Sequence, residues 1–106
     1  MTPQVRQIVE EFQRGLEEIY GDRLVRLVLF GSQARGDARP YSDIDIMVVL
    51  HGDVEPLTEA SRTGKFTSDL CLQHNVVISC VYFSAGEAVT SQRPLLQNIR
   101  SEGIAV

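Results

Sequence analysis

A chain of 106 residues, 43% hydrophobic and 23% charged, carries enough apolar side chains for one core, which excludes a disordered segment and predicts a single domain over residues 1–106. Its net charge of −4 excludes the broad, sequence-independent nucleic-acid binding that rests on many Lys and Arg side chains. Two cysteines make no disulfide framework and no apolar run is long enough to span a bilayer, so composition predicts a soluble cytoplasmic protein, without membrane contact, that folds alone or as a homo-oligomer.

Thr2-Pro3 opens the chain as a helix cap followed by a first-turn proline. Val5, Ile8, Val9, Phe12, Leu16 and Ile19 then recur at helical spacing until Gly21. The opposite face carries Arg6, Glu10, Glu11, Arg14, Glu17 and Glu18, a solvated surface. Leu24 to Phe30 reads as a strand whose continuous apolar second half implies burial on both faces. It ends at Gly31-Ser32. Glycine lets the backbone turn sharply and approach an anion, and the serine adds a hydroxyl beside amides at the start of a short helix around Gln33 to Arg35. The loop Asp37 to Ser42, broken by Pro40, adds Arg39 to Arg35 as cations for one nucleoside triphosphate.

Asp43 to Leu50 reads as the second strand. Residues two apart share a face, so Asp43 and Asp45 present paired carboxylates while Ile44 and Ile46 turn to the core. Alone, such a pair is as readily the polar face of a half-exposed strand. Behind a phosphate-binding turn it becomes a site for Mg²⁺ or Mn²⁺, hard cations that take oxygen ligands and share their shell with substrate phosphates. The connection is too short for a crossover helix, so the two strands should pair antiparallel.

Glu55 to His74 reads as a helix with Leu57, Ala60, Phe66, Leu70 and either Cys71 or Leu72 facing inward. Gly64 weakens it, and Arg62 and Lys65 are solvated or turned toward phosphate. Val76 to Phe83 reads as a third strand, Val77, Ser79, Val81 and Phe83 on one face and Ile78, Cys80 and Tyr82 on the other. Cys71, His74 and Cys80 lack a fourth ligand at zinc spacing, which leaves the cysteines to the core. Ser84 and Glu87 form a capping box. Pro94 opens a last helix through Leu95, Leu96 and Ile99 that stops at Gly103, and the tail Ile104 to Val106 packs on the sheet or on another subunit.

Gly31-Ser32, ten residues, then Asp43-Ile44-Asp45 resembles the G-S-x10-D-x-D signature of the polymerase-β-like nucleotidyltransferases. Ala34-Arg35-Gly36 and Ser42 to Ile46 are similar to its minimal branch. The resemblance implies an α/β fold, a small mixed β-sheet flanked by helices. It implies catalysis and metal binding by Asp43 and Asp45 with Mg²⁺ or Mn²⁺, and nucleotide binding by Gly31, Ser32, Arg35 and Arg39. It further implies transfer of AMP from ATP to a protein, the chain being the antitoxin partner of a HEPN-type toxin. A third carboxylate expected on a later strand is absent, and Ser79 stands at its position, which leaves the alternative of a weak or inactive antitoxin that neutralises the toxin by binding. Nucleotidylation of an aminoglycoside would need a substrate-binding domain beyond this length.

Overall fold

The first helix, α1 (Pro3–Tyr20), starts as its sequence dictates. The Thr2 hydroxyl accepts the Val5 N–H at 3.2 Å, and Pro3 sits where a missing N–H costs nothing. Gly21, at φ 56°, ends it, because only glycine adopts that conformation cheaply. The computed structural model describes residues 1–106. A single 3₁₀ turn leads into β1 (Leu24–Phe30), followed by α2 (Ser32–Arg35), β2 (Ile44–Leu50), α3 (Pro56–His74), β3 (Ile78–Ser84), α4 (Ala85–Thr90), α5 (Pro94–Glu102) and β4 (Ile104–Ala105).

The four strands form one mixed sheet in the order β3-β2-β1-β4. The short return after β1 makes β2 antiparallel to it. The passage through α3 is long enough to reverse direction again, so β3 runs parallel to β2. Alternation along the strands then divides the core. Leu27, Leu29, Ile44, Ile46, Val48, Ile78 and Tyr82 meet α1 and α3 on one face. Val28, Met47, Val49 and Phe83 meet α4 and α5 on the other. The tail closes the β1 edge, with Val28 opposite Ala105, Leu29 opposite Ile104, and the Val106 N–H donating to the Leu27 carbonyl.

Several elements depart from the sequence reading. α3 turns a different face inward: Leu57 and Leu72 are each 81% exposed and Ala60 is exposed, while Glu59, Thr63 and Leu70 are buried. Two polar residues hold inner positions because their partners are there. The Tyr20 hydroxyl donates to Glu59 Oε1 at 3.0 Å, Arg23 pairs with Glu59 Oε2 at 3.1 Å, and the Thr63 and Tyr82 hydroxyls are 2.6 Å apart. Ile19 is exposed at the end of α1. β3 begins two residues later than expected, since Asn75 adopts a left-handed conformation and the Val76 N–H folds back to the Cys71 carbonyl. β2 begins at Ile44, which leaves Asp43 in the loop.

Candidate active site

The turn after β1 is built by Gly31. Its φ of 72° is unfavourable for any residue with a Cβ, and a Cβ there would overlap the Asp45 carboxylate oxygen. This glycine therefore lets the turn and the second acid touch. In α2 the Ala34 and Arg35 N–H groups both return to the Gly31 carbonyl, which leaves the N–H groups of Ser32 and Gln33 and the Ser32 hydroxyl without acceptors in the chain.

Asp45 is half-buried on β2, and Asp43 is exposed in the loop one residue before that strand begins. Asp45 pairs with Phe30 on one side and Ser79 on the other, so the three side chains form a row on the sheet face that α4 and α5 cover only farther along. Burial, and next the charge of Asp43, hold the Asp45 carboxyl above the usual carboxylate range, while Arg35 partly offsets them. The pair thus carries negative charge that Arg35 only partly compensates, with Asp45 partly desolvated and Asp43 open to solvent. Oxygen ligands, unrelieved charge and a glycine that keeps Cβ atoms away suit a divalent cation.

The two arginines are placed differently. Arg35 is bound to Asp37 at 3.3 Å and to Glu102 of α5 at 3.2 Å, so it is a cation already paired at the rim, whose charge still reaches Asp45. Arg39 donates its backbone N–H to the Ser42 hydroxyl at 2.8 Å. Its side chain lines a cavity of about 460 Å³ with Gln33, Ser42, Ile44 and His74, on the α1 side of β2 and away from Asp45. Arg62 and Lys65 do not turn toward the site, being paired with Glu59 at 3.3 Å and Asp69 at 3.0 Å. His74 bonds Glu11 at 2.6 Å, and Cys71 and Cys80 pack against the larger core cluster.

The sequence reading missed Glu102 and the buried Glu59. The pairing of Asp37 with Arg35 was missed too, although the two are only two residues apart. Glu102 was not legible, because only the return of α5 across the sheet brings it there. The signal for Glu59 was its Glu59-x3-Thr63 spacing, one helical face with Leu70, which its charge concealed.

A model of the nucleotidyltransferase domain family matches residues 6–92. Two Methanocaldococcus jannaschii proteins named as candidate protein adenylyltransferases are similar in sequence. MJ0141 is 27% identical over 103 residues, covering 97% of this chain and 99% of its own, and MJ0604 is 38% identical over 77 residues, covering 69% and 67%. A crystal structure of a candidate nucleotidyltransferase from Sulfolobus solfataricus superposes with TM-score 0.69 at 20% identity, covering 96% of this chain and 80% of that one. A chain from a toxin-antitoxin complex with AMP-PNP gives 0.64 at 22%, covering 91% and 70%. At these identities the two structures establish a shared fold.

Proposed function

Since the chain belongs to the nucleotidyltransferase domain family, we propose that it transfers the adenylyl group of ATP to a hydroxyl of a protein partner. The observation that carries this reading is the contact of Gly31 with Asp45, which sets free phosphate-type donors against a charged carboxylate pair. Asp43 and Asp45 would hold Mg²⁺ or Mn²⁺, whose chemistry is to neutralise phosphate oxygens as charge develops. Ser32 and the two free N–H groups hold the triphosphate tail, and Arg35 balances charge at the rim. In the transfer, the acceptor oxygen bonds the α-phosphorus, the bond from that phosphorus to the bridging oxygen breaks, pyrophosphate leaves, and the hydroxyl proton passes to solvent.

The partner in this proposal is a HEPN-type toxin, which the chain silences as antitoxin in the cytoplasm. The likeness of its fold to chains from toxin-antitoxin complexes, one of them MntA-HpeT, is the support for it. A second reading, neutralisation by binding alone, draws on Ser79, a poor metal ligand beside Asp45.

Calorimetry and co-expression test these readings together. ATP binds the wild-type chain with Mg²⁺ or Mn²⁺ and loses at least tenfold in affinity without metal or in the Asp43→Asn, Asp45→Asn double variant. Co-expressed with the product of the adjoining gene, the wild-type chain leaves an AMP-sized mass increase on that partner and the double variant leaves none. A tight complex with no mass change, formed equally by the variant, selects the second reading.

A further inference from the structure

β3 is an outer strand, so one of its edges has no strand beside it. Along any strand the N–H and C=O of one residue point to the same side, and successive residues alternate. The Ile44 N–H donates to the Val77 carbonyl. Val77, Ser79, Val81 and Phe83 therefore turn their backbone groups to β2, and Ile78, Cys80, Tyr82 and Ser84 turn theirs to the free edge. Two of those four N–H groups are already taken: Ile78 donates to Cys71 Sγ at 3.3 Å and Ser84 to Glu87 Oε1 at 3.4 Å. Those of Cys80 and Tyr82 have no acceptor in the chain. The edge is closed at both ends and open in the middle.

A groove of about 210 Å³ runs beside that opening, between β3 and α3. Its helix wall combines Thr63 and Thr67 with Ala60, Gly64 and Ser68, small residues one turn apart, and a Cβ placed on Gly64 would meet nothing within 4 Å. β3 also lacks the devices that blunt an edge. Its sequence, Ile78 to Ser84, holds no proline and no charge, and its register with β2 is unbroken.

We propose that this edge docks an extended segment of the acceptor protein as an added strand, an inference that rests on reading the chain as a protein nucleotidyltransferase. Register connects the edge to the site. Ser79 lies beside Asp45 on one face of the sheet, so the incoming residue next to Ser79 on that face joins the same row. It stands two strand spacings, about 9.6 Å, from Asp45. Side chains on that face stand roughly perpendicular to the sheet, so a tyrosine hydroxyl rises well above the row, toward a nucleotide held over Asp45, whereas serine and threonine hydroxyls stay close to their own backbone. The occupant is accordingly an extended, tyrosine-bearing segment, held by backbone bonds to Cys80 and Tyr82 and chosen by side-chain length.

The test uses isotope-labelled protein and a synthetic peptide of alternating threonine and valine with one central tyrosine. On titration the amide resonances of Cys80 and Tyr82 shift, and those of Ile78 and Ser84, already bonded, move less. Gly64→Leu fills the groove and favours the helix; Cys80→Pro removes an N–H that β2 does not use. Each weakens peptide binding at least tenfold and lowers adenylylation of the tyrosine in proportion, with ATP affinity within twofold of wild type. Gly64→Leu carries the test should the proline variant not fold. The docking proposal is overturned if the peptide shifts no edge amide at millimolar concentration or if Gly64→Leu modifies it as fast as wild type does. It is equally overturned if the edge amides shift with protein concentration alone, which assigns the edge to a second copy. A peptide that docks on Cys80 and Tyr82 but receives no adenylyl group upholds the docking and refutes the transfer.

Discussion

At Gly31 two separate demands meet, a positive φ and the absence of a Cβ beside Asp45. Gly36 offers a comparison, since its φ of 82° is also positive, though in the milder left-handed helical region, and a Cβ there would meet nothing within 4 Å. Gly31→Ala and Gly36→Ala should each cost about 1–3 kcal/mol in chemical denaturation, but only Gly31→Ala should also displace Asp45 and weaken metal-dependent ATP binding. Equal affinities in the two variants would show that the Gly31 contact does not matter for the nucleotide. Ser79 is the other informative residue. It shares a row with Asp45, so Ser79→Asp adds a third carboxylate on the same face. The expected outcome is a second Mn²⁺ per chain, counted by electron paramagnetic resonance, and faster adenylyl transfer; one bound ion and an unchanged rate would remove Ser79 from the account.

Among the elements, α3 shows how a polar group can set a helix's orientation. Glu59 is only 2% exposed, yet it accepts from Tyr20 and pairs with Arg23 and Arg62, which ties α3 to the end of α1 and the start of β1. This cluster sits at the end of the sheet opposite Gly31. Arg23 also reaches the carbonyls of His51 and Asp53 beyond the end of β2. Glu59→Ala leaves a buried phenol without its acceptor and a partly buried guanidinium without its carboxylate, so urea denaturation should register a loss of about 2–3 kcal/mol. ATP affinity should not change, and a parallel loss would mean that the two ends of the sheet are coupled.

For the molecule as a whole, the core sets an alkaline limit. Burial, above all, pushes the Cys80 thiol from its ordinary 9.0 up to about 12 and the Tyr82 phenol from 10.0 up to about 12. Tyr20 is shifted upward as well, by burial and then by its bond to Glu59. In each case the folded value exceeds the unfolded one. The stability these neutral groups contribute is therefore complete below the unfolded values and is lost as pH rises toward the folded ones. The urea midpoint should stay level through neutral pH and fall once pH passes the ordinary thiol value, and Tyr82→Phe should lessen the fall. A midpoint level to pH 11 would contradict the buried placement of these groups.

Local order was legible because it is written in neighbouring residues. Thr2-Pro3, Gly21, Ser84 with Glu87, and the alternation of Ile44 to Leu50 each act within a few positions, and the shortness of the loop after Phe30 determined antiparallel pairing. The motif from Gly31 to Asp45 likewise named its own residues. The tertiary structure alone decided what depends on distant partners. It joined Arg35 to Glu102, turned Glu59 and Thr63 inward in place of Leu57 and Ala60, and left Cys80 and Tyr82 on an open edge. Helical periodicity assigns the inner face by hydrophobicity, and it fails where a buried carboxylate finds a phenol and a guanidinium contributed by another element.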